Sequence, residues 1–213
     1  MSTTAIYWLR NDLRLHDNET LVQAIEAADR VLPVYCIDPR QYQLLEYGFR
    51  KTGMQRWYFL KQCLQDLRRQ LQSIGGDLLI RVGKPETILP ALVEAYEVQD
   101  IFVQEEITSE ETIVEAAVET ACQKKGGTLH RIWGLTLYHR DDIPIPAGKT
   151  PLTSKSFRLK VVKPTDVRAL LETPQKVAVP EVKDWGCLPE AHQLGFSERE
   201  IVAENTAYPG GEA

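Results

Sequence analysis

The chain has 213 residues, a formal net charge of −5 at pH 7, 43% hydrophobic residues and 26% charged residues. This length and composition indicate one globular domain of about 150 residues with an additional tail. A protein that binds nucleic acid strongly by itself is normally basic, because neutralised phosphates supply most of the affinity. The negative charge therefore argues against that function.

Apolar runs of strand length alternate with helical patterns along the first part of the chain. After the first run, Leu21, Val22 and Ile25 recur at helical spacing, and either Asp17 or Asn18 is suited to be the N-cap of that helix. The predicted strands are residues 4–9, 30–38, 77–82, 100–105 and 128–133.

Glycine pairs and a serine mark the ends of two later helices. Gly75 and Gly76 end a long helix, whereas Ser109 is predicted to cap a helix over residues 109–125 that the glycines at 126–127 close. The apolar stripe of the long helix consists of Trp57, Leu60, Leu64, Leu67, Leu71 and Ile74.

Strands that alternate with helices predict an α/β fold. We expect a five-stranded parallel, doubly wound sheet of Rossmann-like or flavodoxin-like type, flanked by helices. Pro33, within the second predicted strand, is typical of an edge strand, although the run around it is strongly apolar. Beyond the fifth strand prolines concentrate, and only SKSFRLKVVKP is helical in pattern. We predict a compact domain over residues 1–135 and an extended, Pro-rich arm over 136–213.

Cysteine and histidine spacings predict no metal site. The four cysteines are widely separated, with no C-x-x-C pair, which is typical of free thiols in a reducing cytoplasm. The N-terminus lacks the features of a signal peptide, and no apolar run approaches the roughly 18 residues that span a bilayer. We therefore expect a cytoplasmic protein without a membrane partner.

A ligand of such a sheet is expected beyond the carboxyl ends of the strands. No G-x-G-x-x-G follows the first strand, so the sequence does not support dinucleotide binding of the usual kind. A P-loop and a G-x-S-x-G nucleophile motif are also absent from the sequence.

Four glutamates cluster where the fourth strand ends. Glu110 and Glu111 lie in the first turn of the next helix, where carboxylates complement the helix dipole. That explanation does not cover Glu105 and Glu106, which lie at the mouth of the expected crevice. A carboxylate there could accept hydrogen bonds from the N–H groups of a heterocycle.

The loop after the first strand carries charges of alternating sign. Arg10, Asp12, Arg14 and Asp17 could pair within the loop and bond its free backbone groups, or they could contact a ligand directly. We favour the structural role, with Asn18 as part of the same loop.

This loop and several later segments resemble the photolyase/cryptochrome superfamily. WLRNDLRLHDNETL is similar to the family's opening signature, which is close to R-x-D-L-R-x-x-D-N, and other segments resemble the DASH branch in order. These segments are PVYCIDPR, YGFRKTGMQRWYFLKQCLQDLRRQL, LLIRVGKPETILPAL, SEE, WGLTLYHRDDIP, SKSFRLKV and YPGGEA.

The resemblance implies the first part of a two-domain DNA-repair flavoprotein. In the family the α/β domain carries a light-harvesting antenna, usually methenyltetrahydrofolate and in some members a deazaflavin. A helical C-terminal domain, absent from this chain, holds FAD and the pocket for a flipped pyrimidine dimer. The resemblance therefore implies a lyase parent, the photolyase, whereas this chain alone has no catalytic residues. DNA is expected to bind only the full-length protein.

The resemblance also implies candidate antenna residues. Glu111 matches a family glutamate associated with the folate, and Glu106 is the second choice. Cys36, Asp38 and Lys51 belong to the same region by topology.

Two further functions stay open at this point. The chain could be a stand-alone photolyase-like module for binding or interaction, without repair activity. It could also be an adenylate-binding protein of related α/β fold, which ranks last because the usual Gly/Ser-rich phosphate loop is missing. If the missing domain normally covers part of the surface, the chain alone is expected to self-associate.

Overall fold

The computed structural model describes residues 2–146, 148–201 and 208–212, and contains a five-stranded parallel sheet of order β3-β2-β1-β4-β5. The predicted α/β fold is confirmed. The strands are β1 (Thr4–Leu9), β2 (Arg30–Ile37), β3 (Leu79–Val82), β4 (Asp100–Gln104) and β5 (Thr128–Ile132). The helices are α1 (Glu19–Ala27), α2 (Met54–Ser73), α3 (Pro85–Ala95), α4 (Ser109–Gln123) and the short α5 (Ser154–Phe157), which continues as a π-helical turn, Arg158–Val162.

The side chains of β1 divide between two hydrophobic clusters, one on each face of the sheet. Ala5, Tyr7 and Leu9 belong to a cluster that contains residues of α1 and α2, while Ile6 and Trp8 belong to a cluster that contains residues of α3 and α4. Successive side chains of a strand point to opposite faces, so a central strand that is covered on both sides must be apolar throughout. This is why the run 4–9 shows no polar alternation.

Pro33 lies in an interior strand, so the edge assignment that a strand proline favours is wrong for β2. The backbone N–H of Val31 donates to the Ala178 carbonyl, on the β3 side of β2, at 2.8 Å. Alternate residues point their N–H groups to the same side, so the nitrogen of Pro33 also faces that side. Strand β3 pairs only from Leu79, opposite Val34, and Pro33 therefore removes no donor from the β2–β3 ladder.

The glycines end the helices where the sequence predicted, but the serine does not cap its helix. Gly75 and Gly126 take left-handed backbone conformations, with φ of +89° and +86°, after α2 and α4. The predicted N-cap Ser109 is instead the first helical residue of α4; the N-cap is Thr108, without a side-chain capping bond. Of the two residues suited to cap α1, Asp17 and Asn18, the N-cap is Asn18, whose Oδ1 accepts the Leu21 N–H at 3.0 Å.

The Pro-rich arm packs back onto the α/β core. Val177 is 1% exposed and belongs to the α1/α2 cluster, and its N–H donates to the Ile74 carbonyl at 2.9 Å. At the edge of the sheet, the Ile80 N–H of β3 donates to the Trp185 carbonyl at 2.9 Å. An edge strand that is paired in this way offers fewer free groups to other chains. The division near residue 135 stays a prediction.

Among the described helices, none is both long enough and apolar enough to cross a bilayer.

Candidate functional site

The loop after β1 is organised by a buried tyrosine, aspartate and asparagine. The Tyr7 hydroxyl donates to Asp12 Oδ2 at 2.6 Å, and Asn18 Nδ2 donates to the Tyr7 oxygen at 2.7 Å. The other Asp12 oxygen accepts the Arg10 N–H at 3.0 Å, and Asn18 Nδ2 also donates to the Arg14 carbonyl at 2.8 Å. Burial raises the pKa of Tyr7 well above its usual value, and the Asp12 carboxylate adds to this, so the hydroxyl keeps its proton.

The loop does bond its own backbone, but its charges do not pair with one another as the alternating signs suggested. The described residues show Arg10 paired with Glu115 of α4, whereas Arg14 donates to the Asp17 carbonyl at 3.0 Å. Asp17, at φ +49°, accepts the N–H of Leu171 from the arm at 3.1 Å. Alternation in sequence does not fix partners, because each side chain can reach other elements.

Substitutions of Asn18 should separate capping from loop anchoring. Asn18→Ala loses both functions, and we expect the free energy of unfolding to fall by about 2–3 kcal/mol. Asn18→Asp keeps the acceptor for the Leu21 N–H but offers no N–H to Tyr7, and it places a charge near Asp12. Urea denaturation should therefore show that Asp rescues little of the loss. Recovery to within about 0.5 kcal/mol of the wild type would reduce Asn18 to a cap.

A cleft of about 440 Å³ opens where β1 and β2 end and α4 begins. It adjoins the point where the strand order reverses, because β1 lies between β2 and β4 and the chain leaves these strands toward opposite faces. The volume suits a small heterocyclic molecule. Its apolar lining comes from Trp8, Leu9, Tyr35, Ile37, Tyr42, Leu45, Leu60, Pro85, Ile113 and Val114, and its polar lining includes Arg10, Asn11, Arg40, Gln41, Thr52, Arg56 and Glu110.

Four of the five predicted cofactor residues line this cleft, namely Glu111, Cys36, Asp38 and Lys51. Glu111 is half-buried on α4, and no described residue forms a hydrogen bond or an ion pair with its carboxylate. Burial raises the pKa of the Cys36 thiol, which is therefore neutral at physiological pH. Lys51 pairs across the cleft with Glu110 in the first turn of α4.

Asp38 and Glu106 have structural partners. Asp38 caps the short turn that follows β2 by accepting the Arg40 N–H at 2.9 Å, and it also accepts the Arg40 guanidinium. Glu106 is buried, is not among the cleft-lining residues, and accepts the Asn11 side-chain amide at 2.7 Å. Their carboxylates are thus less available to a ligand than that of Glu111.

Sequence reasoning missed Glu115, which links the loop after β1 to β5. Glu115 is 2% exposed, pairs with Arg10, and accepts Arg131 Nε at 3.0 Å and the Glu106 N–H at 3.1 Å. It lies on the same buried face of α4 as Val118. A carboxylate on a face that is otherwise apolar was the sequence feature that could have identified it. By holding Arg10, Glu115 fixes one wall of the cleft.

A larger cavity of about 850 Å³ lies between α2 and the arm, away from the strand ends. Its charged lining is already paired, as in the Arg68–Asp77 and Lys61–Glu190 bridges. We regard the smaller cleft as the candidate site, because it lies at the strand ends and its lining includes the carboxylate of Glu111, which has no partner among the described residues. Within the described residues, no group of histidine, cysteine, aspartate and glutamate side chains is arranged to hold a metal ion, and all four cysteines are free thiols.

The doubly wound sheet has a cleft beside the point where strand order reverses, which is where α/β domains of this class bind small molecules. Residues 5–180 match the model of the DNA photolyase family, and the chain belongs to that family. It is 40% identical to the chloroplastic/mitochondrial cryptochrome DASH of Arabidopsis thaliana over 212 residues, which cover 98% of this chain and 37% of that protein. Cryptochrome DASH of Gloeobacter violaceus is 38% identical over 215 residues, covering 100% of this chain and 43% of that protein.

Solved structures share this fold. The crystal structure of a Synechocystis sp. PCC6803 cryptochrome matches with a TM-score of 0.86 and 31% identity over 98% of this chain and 44% of that one. A photolyase of Sulfolobus tokodaii, whose structure contains two FAD molecules and implicates a novel light-harvesting cofactor, shares the fold with a TM-score of 0.76 at 24% identity. The chain thus spans less than half of these relatives, and corresponds to the N-terminal domain of photolyases and cryptochromes.

Proposed function

We propose that the chain binds a light-harvesting chromophore in the cleft at the ends of β1 and β2. The observation that carries the proposal is Glu111, a half-buried carboxylate on the cleft wall without a partner among the described residues. A charge that has lost part of its hydration gains most from a ligand that donates hydrogen bonds to it. The adjacent Ile113 and Tyr35 supply apolar surface for a planar ring system.

Methenyltetrahydrofolate is the chromophore that we favour, with a deazaflavin as the alternative. A pterin ring presents adjacent N–H groups that a carboxylate such as Glu111 can accept. The glutamate tail of the folate carries negative charge, and the exposed Arg56 supplies a cation among the lining residues. A deazaflavin offers fewer donors to Glu111.

The parent protein is proposed to be a light-driven pyrimidine-dimer repair flavoprotein of the DASH type. In this proposal FAD and DNA bind a helical domain beyond this chain, and the chain alone has no catalytic activity. Exposed apolar residues beside the cleft, among them Leu44, Tyr47 and Phe49, would face that domain. We propose that the chain alone self-associates through this surface. The cytoplasmic location stays part of the proposal, while the Arabidopsis relative is named as chloroplastic/mitochondrial.

Titration with methenyltetrahydrofolate tests the chromophore proposal. We expect the near-ultraviolet absorption band of the folate to shift to the red as the complex forms. Glu111→Gln should weaken binding about tenfold or more, because it removes a charged hydrogen-bond acceptor.

The control is Glu119→Gln, a carboxylate of the same helix that pairs with Arg131 outside the cleft. Its affinity for the folate should stay within about twofold of the wild type. No spectral change at saturating folate would remove the folate proposal, and the same titration with a deazaflavin would then test the alternative.

A further inference from the structure

The segment Tyr208–Glu212 lies against α2 and ends on the loop after β1. The Gly210 N–H donates to Gln62 Oε1 at 2.6 Å, and the Glu212 N–H donates to Asp66 Oδ2 at 3.0 Å. The two carboxylate oxygens of Glu212 accept the consecutive N–H groups of Leu15, at 2.9 Å, and His16, at 3.2 Å. The segment is thus held at two places: its backbone bonds to α2, and its Glu212 side chain bonds to the loop after β1.

Both glycines of this segment are required by close approach to α2. A Cβ atom on Gly210 would lie 2.4 Å from the Phe59 carbonyl oxygen and 2.8 Å from Cys63 Sγ. Gly211 has φ of +129°, and a Cβ atom there would lie 2.8 Å from Asp66 Oδ2. A side chain at position 210 would therefore displace the segment, and one at position 211 would strain the backbone and push on the Asp66 side chain.

The carboxylate of Glu212 lies where two successive backbone N–H groups favour an anion. Each of its oxygens accepts one of these N–H groups, and such a pair of donors binds a carboxylate in preference to a neutral amide. The docked segment also covers Cys63, which is 8% exposed, and burial raises the pKa of its thiol.

We propose that the α2 surface formed by Gln62, Cys63 and Asp66, together with the N–H groups of Leu15 and His16, is a binding site for a Gly-Gly-Glu peptide. In this chain the site holds residues 210–212 in cis, and it selects its ligand by two requirements. The first two positions must lack a Cβ atom, and the third must carry a carboxylate. The site is separate from the chromophore cleft, so the two proposals stand or fall independently.

Two variants of the full chain disrupt the site through different atoms. Glu212→Gln removes the anion, and Gly210→Ala introduces a methyl group against the Phe59 carbonyl oxygen. Hydrogen exchange at Leu15 and His16 should rise about tenfold in Glu212→Gln, as for the loss of a charged hydrogen bond. Alkylation of Cys63, followed by mass spectrometry of its peptide, should accelerate by a similar factor in Gly210→Ala.

Three comparisons make the result specific. Alkylation of Cys122, which is buried in α4, should stay slow in both variants and thereby show that the core is intact. Glu198→Gln removes an exposed carboxylate from the same arm and should leave all rates unchanged. A free peptide, Tyr-Pro-Gly-Gly-Glu-Ala, added to the Gly210→Ala variant should restore protection of Cys63, whereas the same peptide with Gln in place of Glu should not.

Wild-type exchange and alkylation rates in both variants would overturn the proposal. Faster rates that neither peptide reverses would also overturn it, because the segment would then be a structural cover and not the ligand of a binding site.

Discussion

Replacing Glu115 by Gln will lower the free energy of unfolding by about 3 kcal/mol. Glu115 is 2% exposed and receives both the Arg10 and the Arg131 guanidinium groups. Removing its charge leaves Arg10, whose side chain is 11% exposed, without its anion in a site of low solvent access. The cost of stranding a buried charge exceeds the value of the pair itself. Urea denaturation of the purified chain measures the change.

The matched control is Glu119→Gln. Glu119 lies one helical turn further along α4, accepts the same Arg131, and has a side chain that is 33% exposed. Solvent can replace its contribution, so the loss should stay below about 1 kcal/mol. Equal effects of the two substitutions would show that Glu115 is no more than a surface partner of Arg131.

Gly186→Ala should cost about 3 kcal/mol, the second large effect. Gly186 has φ of +70°, and a Cβ atom there would lie 2.1 Å from the Ile80 carbonyl oxygen. The methyl group can be accommodated only if the arm moves off β3. That movement would break the hydrogen bond from Ile80 to Trp185 and the one from Arg68 to the Gly186 carbonyl, at 2.9 Å each.

Gly126→Ala separates this clash from backbone strain. Gly126 has φ of +86°, and no atom lies within 4 Å of the position that its Cβ would take. Alanine is disfavoured there only by the left-handed backbone conformation, which should lower the free energy of unfolding by about 1 kcal/mol. If Gly186→Ala is no more destabilising than Gly126→Ala, the arm does not need its close approach to β3.

The elements were predictable because their signals are local. The stripe from Trp57 to Ile74 gives α2, and the uniformly apolar run 4–9 gives a strand covered on both faces. Strand order is not local. Pro33 suggested an edge strand, yet the structure places β2 inside the sheet. The proline nitrogen faces the β3 side at a point where β3 has not yet begun to pair with β2.

The candidate site was predictable in its position but not in its partners. The carboxyl ends of parallel strands meet at one edge, which places Cys36 at the cleft, whereas Glu111 was expected there from the family resemblance. Which carboxylates stay available depends on contacts far apart in sequence. Glu106 bonds Asn11, 95 residues away, and Glu115 pairs with Arg10, 105 residues away. Pairs so far apart in sequence cannot be predicted from the spacing of residues.

Nuclear magnetic resonance mapping of the folate-bound chain tests the chromophore proposal most directly. The proposal predicts that amide shifts on addition of methenyltetrahydrofolate concentrate around the cleft, at Cys36, Leu45 and Ile113, and that Glu111→Gln weakens them. Shifts that instead concentrate at Gln65 and Leu188, which line the larger cavity beside α2, would contradict it.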